Sequence, residues 1–278
     1  MENTGFLGEP LFILGMHRSG TTMLSKMLVE SGYYPGWSLE ENNEPTYIIK
    51  KNNEILHSAG CNWDFPYHFQ SYLTDRRRKY LCEWLMQDIL SFRSVTFFGP
   101  AMWLRRERML NDKRNLLVKD PRSSITFPIW KMVFPNLKVL HIRRHGVDVA
   151  KSLAVRAEKM LAKRMGEIPL PRGLRVDDIR YGLELWDFYE KSCNDAMSSV
   201  APGHVLSVSY EDILTTPDKT FAQIEQFLNV RFSPESKAKV NSGRAYSFVR
   251  DLELVALSEE YSDVLKAHGY SAGEAKRV

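Results

Sequence analysis

The chain has 278 residues, 44% of them hydrophobic and 26% charged, and a formal net charge of +4. These values indicate a globular protein with a sizeable core and exclude a disordered or fibrous chain. So small a charge does not by itself predict a nucleic-acid partner. Three widely spaced cysteines, Cys61, Cys82 and Cys193, predict neither a disulfide framework nor a metal site, so we expect a reduced intracellular protein.

Residues 1–10 carry two acidic residues and none of the basic residues that open a signal peptide. The apolar run that follows is interrupted by Gly15 and is too short to span a membrane. No other segment approaches that length. We therefore expect a cytoplasmic protein without a membrane span.

Apolar runs predict short buried strands at 12–15, 116–119, 139–142 and 205–208. Helical spacing of apolar residues predicts helices at 21–30, 79–92, 147–163, 179–198 and 217–228. Short strands that alternate with longer helices are typical of a mostly parallel sheet with helices on both faces. We therefore predict a three-layer α/β fold that forms one domain over residues 1–278, with its core at about 10–230.

The first chemical motif lies between the first strand and the first helix. Residues 15–22, here called the phosphate loop, read Gly-Met-His-Arg-Ser-Gly-Thr-Thr. A glycine-bounded loop at a helix start directs backbone N–H groups at one anion. The spacing is that of the P-loop of nucleotide-binding proteins, but Thr21 stands where ATP- and GTP-binding loops have lysine. The motif predicts a P-loop-like site for a phosphate group, with Arg18 as its cation.

Two further strands bring polar residues to the same edge of the predicted sheet. The third strand ends at Arg144, and the helix after it carries Ser152 two turns later. The second strand ends at Lys119, followed by Asp120 and Arg122. Ligands bind at the carboxyl edge of a parallel sheet, so we expect these side chains to face the phosphate loop.

These segments resemble sulfotransferases that use 3′-phosphoadenosine 5′-phosphosulfate (PAPS). The family's 5′-phosphosulfate motif, K/R-S-G-T-T, matches Arg18-Ser19-Gly20-Thr21-Thr22, which follows His17. Its 3′-phosphate motif, R-x-x-x-D-V-x-x-S, matches Arg144, Asp148, Val149 and Ser152. Its Y-E-D-L/M segment, whose tyrosine lies near the adenine, matches at Tyr210. The resemblance implies that PAPS is the donor, that adenosine 3′,5′-bisphosphate is the product, and that these residues, His17 included, bind the nucleotide.

Sulfuryl transfer is an in-line displacement in which the protein chiefly positions the partners and stabilises charge. The sulfuryl group has fewer negative oxygens than a phosphoryl group, so Arg18 and Lys119 can serve without a metal ion. The K-D-P-R sequence at 119–122 resembles the bacterial branch of the family and has Pro121 where animal members have a histidine base. Asp120, Glu44 and His17 remain as candidate bases, in that order of preference. Asp120 alternatively forms a structural ion pair with Arg122.

The acceptor is predicted to be a hydroxyl of a carbohydrate or another small natural product, contacted by segments at about 37–69 and 156–178. Residues 156–178 contain two prolines and a glycine among many charges, which predicts a surface loop or lid. The basic runs 76–79 and 105–108 lack interleaved aromatic residues, so we expect no nucleic-acid partner. We expect these runs to be solvated helix ends; the alternative is that they contact an acidic acceptor such as an anionic sugar. Two other hypotheses remain: a P-loop kinase for small molecules, and a nucleotide-binding scaffold without catalysis.

Overall fold

The computed structural model of the chain describes residues 5–111, 115–163, 174–238 and 245–270. Its sheet consists of four strands: β1 (Leu11–Leu14), β2 (Leu117–Lys119), β3 (Lys138–Arg143) and β4 (Val205–Ser209). All pair in parallel, in the order β2-β1-β3-β4. The connection that leaves β1 leads to β2 on one side of the sheet, and the connection that leaves β3 leads to β4 on the other side. Because the two connections diverge, a crevice opens between the carboxyl ends of β1 and β3.

Helices connect the strands and surround the sheet. They are α1 (Thr21–Glu30), α2 (Thr46–Ser58), α3 (Phe69–Tyr72), α4 (Asp75–Leu90), α5 (Val95–Trp103), α6 (Arg106–Asn111), α7 (Ser123–Val133), α8 (Gly146–Lys163), α9 (Ile179–Ser198), α10 (Tyr210–Thr215), α11 (Pro217–Leu228), α12 (Pro234–Ala238), α13 (Leu252–Glu260) and α14 (Ser262–Ala267). Three of the predicted helices, now α1, α9 and α11, have the predicted bounds. Helix α4 begins four residues before its predicted start, because the Thr74 hydroxyl caps it by accepting from the Arg77 N–H at 3.4 Å.

The three-layer prediction is confirmed by the two sides of the sheet. Along β1, Leu11 and Ile13 pack with side chains of α1, α10 and α11 on one face. Phe12 and Leu14 belong to the other face, where α7, α8 and α9 pack. This alternation follows from the two-residue period of a strand, and burial of both faces accounts for the uninterrupted apolar run.

Two overlapping predictions cover residues 156–163, the helix at 147–163 and the loop at 156–178, and the structure has the helix there. Helix α8 continues through Arg156 to Lys163, because its apolar positions repeat with helical spacing at Leu153, Ala157 and Met160. A short 3₁₀ turn, Leu174–Asp177, precedes α9, and residues 164–173 lie outside the described part of the chain. In the described ranges, no helix combines the length and apolar character needed to cross a membrane.

Candidate functional site

The phosphate loop forms a tight turn between β1 and α1. Arg18 and Gly20 have φ angles of 73° and 101°, in the left-handed region that only glycine adopts readily. A Cβ atom at position 20 would lie 2.5 Å from the Tyr210 ring, so glycine is also required there for space. Inside the turn the buried Ser19 hydroxyl donates to the Met16 carbonyl oxygen at 2.7 Å. The loop therefore leads directly into the N-terminus of α1, whose first N–H groups have no acceptor within the helix.

Hydrogen bonds join the phosphate loop to the second motif. Arg18 Nε donates to Ser152 Oγ at 2.8 Å, and Arg144 Nη1 donates to the Arg18 carbonyl oxygen at 3.1 Å. These residues come from the loop after β1, from the end of β3 and from α8. The two predicted anion sites therefore form one continuous basic surface.

Arg144 is held from two sides. Its guanidinium carbon lies 4.7 Å from the centroid of the Tyr210 ring, and Nη2 lies 3.7 Å from an Asp148 carboxylate oxygen. Asp148 also accepts from the Ser247 hydroxyl at 2.6 Å and from the Phe248 N–H at 3.0 Å. The aspartate of the second motif thus attaches the C-terminal segment to the helix that carries Ser152.

The glutamate after Tyr210 has a similar attachment role. Glu211 is buried and accepts from the His145 N–H at 2.9 Å, from Ser209 Oγ at 3.1 Å and from the Tyr270 hydroxyl at 3.1 Å. Burial raises the pKa of Glu211, and its hydrogen bonds oppose that shift. Glu211 therefore links the ends of β3 and β4 to the C-terminal segment and holds the Tyr210 backbone in place.

Lys119 is the buried cation at the end of β2. Its Nζ donates to Glu44 Oε1 at 2.8 Å, to the Asn42 carbonyl oxygen at 2.9 Å and to Thr22 Oγ1 at 3.1 Å. Burial lowers the pKa of Lys119, while the charges of Glu44 and Asp120 raise it. The ammonium group thus connects the phosphate loop to the segment that carries Glu44.

Glu44 reaches Lys119 from a tight loop before α2. The Glu40 N–H donates to the Glu44 carbonyl oxygen at 2.9 Å, and Leu39 pairs with Pro45 in an antiparallel bridge. Asn43 occupies the left-handed region with φ 57°, which asparagine tolerates better than most residues. This loop folds Asn42 and Glu44 back over the end of β2.

Asp120 is fully buried, and both of its carboxylate oxygens are occupied. Oδ1 accepts from Arg122 Nη1 at 2.8 Å and from the Arg122 N–H at 3.2 Å, and Oδ2 accepts from Asn52 Nδ2 at 2.8 Å. The Asn52 carbonyl oxygen in turn accepts from Thr126 Oγ1 and Trp130 Nε1. Asp120 therefore belongs to an interior network between α2 and α7, and it forms the ion pair with Arg122 that was its alternative role.

His17 packs beneath the phosphate loop. Its ring lies 4.6 Å from that of Trp63 and 6.3 Å from that of Tyr189, centroid to centroid. Burial lowers the pKa of His17 well below its usual value. Four neighbouring cations lower it further, in the order Arg122, Arg156, Lys119 and Arg18. The imidazole is therefore neutral near pH 7.

A cavity of about 810 Å³ lies over the crevice between β1 and β3. The predicted site residues that line it are His17, Arg18, Gly20, Thr21, Thr22, Glu44, Lys119, Arg144 and Tyr210. Ser152 lines an adjoining groove of about 610 Å³ along α8, which shares Arg18 and Arg144 with the cavity. Ser19 and Asp120 are buried and line neither space.

Among the cavity residues that were not singled out in the sequence are Lys26, Asn42 and Arg156, the last two within the predicted acceptor segments 37–69 and 156–178. Lys26 lies one helical turn after Thr22, and Arg156 lies one turn after Ser152, so an i, i+4 search from each motif residue would have found both. Asn42 contributes a backbone oxygen, which has no sequence signal. With Lys26 and Arg156 included, the cavity is lined by five cationic side chains and two carboxylates. This balance favours a strongly anionic ligand.

The described part of the chain has no group of three histidine, cysteine, aspartate or glutamate side chains that could hold a metal ion. Cys61, Cys82 and Cys193 are buried free thiols.

Several solved structures are similar to this chain at low identity. The sulfotransferase domain from the curacin biosynthetic pathway is 22% identical, with a TM-score of 0.49, over 87% of this chain and 81% of that one. The sulfotransferase domain of the Synechococcus PCC 7002 olefin synthase is 21% identical, with a TM-score of 0.49, over 88% and 82% of the two chains. A sulfotransferase from Alicyclobacillus acidocaldarius is 15% identical, with a TM-score of 0.48, over 97% and 99%.

An uncharacterized protein of Aquifex aeolicus (strain VF5) is 23% identical over 227 residues, which are 79% of this chain. The aligned part is 25% of that protein, so the chain spans about a quarter of the length of this curated relative. A sequence model of the sulfotransferase family matches residues 10–234 and includes all the motifs described above. The chain belongs to the sulfotransferase family.

Proposed function

We propose that the protein transfers the sulfuryl group of PAPS to a hydroxyl of a carbohydrate or another small natural product. The observation that carries this proposal is the hydrogen bond between Arg18 and Ser152, 2.8 Å long, which joins two anion sites into one surface. A donor with a 5′-phosphosulfate and a separate 3′-phosphate requires two such sites. The product, adenosine 3′,5′-bisphosphate, has one phosphate for each of the two anion sites.

The donor is held at three places in this proposal. The N-terminus of α1 and Arg18 bind the 5′-phosphosulfate, and Arg144 with Ser152 binds the 3′-phosphate. The Tyr210 ring contacts the adenine side. Arg144 already lies over the Tyr210 ring and against the Asp148 carboxylate, so little side-chain freedom is lost when a phosphate binds. Binding energy is therefore available for orienting the sulfur atom.

The transfer step breaks the bond between sulfur and the bridging oxygen of the 5′-phosphate. The acceptor oxygen attacks sulfur from the opposite side, and adenosine 3′,5′-bisphosphate leaves with the bridging oxygen. Lys119 and Arg18 stabilise the charge on that oxygen and on the sulfuryl oxygens. Removal of one such preorganised contact typically raises the barrier by about 3 kcal/mol.

We propose Glu44 as the base that takes the acceptor's proton. Glu44 lines the cavity and contacts Lys119 at 2.8 Å, whereas the carboxylate of Asp120 is fully engaged by Arg122 and Asn52 in the interior. Lys119 moves from Glu44 to the bridging oxygen as the donor binds, which leaves the Glu44 carboxylate free to accept a proton. We assign Asp120 the role of orienting Arg122 and the end of β2.

The test is sulfuryl transfer from ³⁵S-labelled PAPS to a panel of sugars, phenols and alcohols, carried out with and without EDTA. We expect one adenosine 3′,5′-bisphosphate for each sulfated product, and no loss of rate in EDTA. Consumption of ATP that depends on Mg²⁺ would instead favour the kinase hypothesis. Tight bisphosphate binding without transfer to any acceptor would favour the scaffold.

A further inference from the structure

Arg156 lies at the junction of the two cavities. It lines both the main cavity and the groove along α8, as do only Arg18 and Arg144 among the described residues. Like Arg18, Arg156 is exposed, but unlike Arg18 and Arg144 it makes no hydrogen bond or ion pair with any residue of the described ranges. An unpaired guanidinium at the wall of a cavity is available for a ligand.

The donor does not account for Arg156. In the proposed function the 5′-phosphosulfate has the α1 N-terminus, Arg18 and Lys119, and the 3′-phosphate has Arg144 and Ser152. Each anionic group of the donor is thus already matched by cations or N–H groups. Arg156 is an additional positive charge beside a complete donor site.

The surroundings of Arg156 lie on the acceptor side. The charge of Arg156 lowers the pKa of His17 more than the charge of Lys119 or Arg18 does. The His17 ring packs on Trp63, which belongs to the predicted acceptor segment 37–69, while Tyr210 contacts the other end of the phosphate loop, at Gly20. Arg156 is therefore close enough to His17 to influence it, and it is itself the first residue of the other predicted acceptor segment, 156–178.

We propose that Arg156 binds an anionic group of the acceptor, a carboxylate or a phosphate ester, and so makes the protein selective for acidic hydroxyl compounds. This inference rests on the proposed sulfuryl transfer and narrows its substrate class. A guanidinium binds either group through two parallel hydrogen bonds, which orients the acceptor as well as retaining it. With its anionic group bound to Arg156, the acceptor then places the hydroxyl to be sulfated towards Glu44.

The experiment compares acceptors that share one hydroxyl-bearing ring and carry either a neutral or an anionic group at a single position. One set is methyl glucoside, methyl glucuronide and methyl glucoside 6-phosphate; the other is methyl 3-hydroxybenzoate, 3-hydroxybenzoate and 3-hydroxyphenyl phosphate. For the wild-type protein we expect kcat/KM to be at least about tenfold higher for an acid than for its neutral partner, the effect of one charged contact. The carboxylate and phosphate arms show which anion is preferred.

Arg156→Gln is expected to abolish this preference through a higher KM for the acid, with the KM for PAPS and the rate on the neutral acceptors unchanged. Lys159→Gln removes the same charge three residues further along α8, from a side chain that lines only the groove, and is expected to retain the preference. Equal kcat/KM for acid and neutral partners in an active wild-type protein would overturn this inference alone, as would a higher KM for PAPS in Arg156→Gln. Absence of transfer to every acceptor would overturn the proposed function and this inference with it.

Discussion

Arg18 Nε donates to Ser152 Oγ at 2.8 Å across 134 residues of sequence. The bond is possible because the loop after β1 and the helix after β3 meet at the crevice of a β2-β1-β3-β4 sheet. Arg144 strengthens the junction by donating to the Arg18 backbone. Any ligand that occupies one of these anion sites therefore lies beside the other.

Glu44→Gln tests the assignment of the base. An amide cannot accept the acceptor's proton, so we expect kcat to fall about 100-fold or more. The affinity for adenosine 3′,5′-bisphosphate, measured by calorimetry, is expected to stay close to that of the wild type. Glu41→Gln is the matched control, because Glu41 lies exposed in the same loop. An unchanged kcat in Glu44→Gln would show that another residue acts as the base.

Asp120→Asn is expected to affect stability first. The substitution leaves the partly buried Arg122 guanidinium, whose side chain is 14% exposed, without the charge of the fully buried Asp120, and breaking such a pair typically costs about 3 kcal/mol. Urea denaturation measures this loss, with Asp75→Asn, at an exposed position on α4, as control. Unchanged stability together with lost turnover would contradict the structural role and identify Asp120 as the base.

Gly20→Ala tests the shape of the phosphate loop. The added methyl group would meet the Tyr210 ring at 2.5 Å, so we expect bisphosphate affinity to fall at least about tenfold, or 1.4 kcal/mol. Gly32 has a similar φ of 94° but open space around its Cα, so Gly32→Ala carries the backbone strain without the collision. That control is expected to lose about 1 kcal/mol of stability and no affinity. Equal affinities in the two variants would contradict the steric argument.

His145→Phe tests a buried, neutral histidine. The ring stacks on Phe248 at 4.2 Å, and neither ring nitrogen has a hydrogen-bond partner among the described residues. Burial, assisted by Arg144, lowers the pKa of His145 from 6.5 to about 3. The unfolded chain therefore binds this proton first on acidification, and the stability contribution that is complete above pH 6.5 decreases as the pH falls towards 3.

Phenylalanine fits the same stack and does not titrate. Between pH 6.5 and 4.5 we expect the variant to lose about 2 kcal/mol less unfolding free energy than the wild type, as measured by urea denaturation. If the unfolding free energies of the two proteins fall equally over this pH range, the pKa of His145 is not lowered in the folded protein, and the account of its environment is wrong.

Local patterns predicted most of the fold. The strands were correct to within about one residue, because each is a short apolar run buried on both faces, and α1, α9 and α11 were correct at both ends. Helix α7 was missed because Pro128 lies inside it, where a proline usually ends a helix. The surroundings of Asp120 could not be predicted, since they depend on Asn52, which is 68 residues away in the sequence. Long-range contacts of this kind decide which carboxylate faces the cavity.

The central claim is that one nucleotide binds through phosphates at two joined anion sites. Calorimetric titration of wild type and Arg144→Ala with adenosine 3′,5′-bisphosphate and with adenosine 5′-phosphate tests it most directly. We expect the wild type to bind the bisphosphate at least about tenfold more tightly than the monophosphate, and Arg144→Ala to lose most of that difference while its affinity for the monophosphate stays close to the wild-type value. Equal loss of affinity for both nucleotides in Arg144→Ala would contradict the claim.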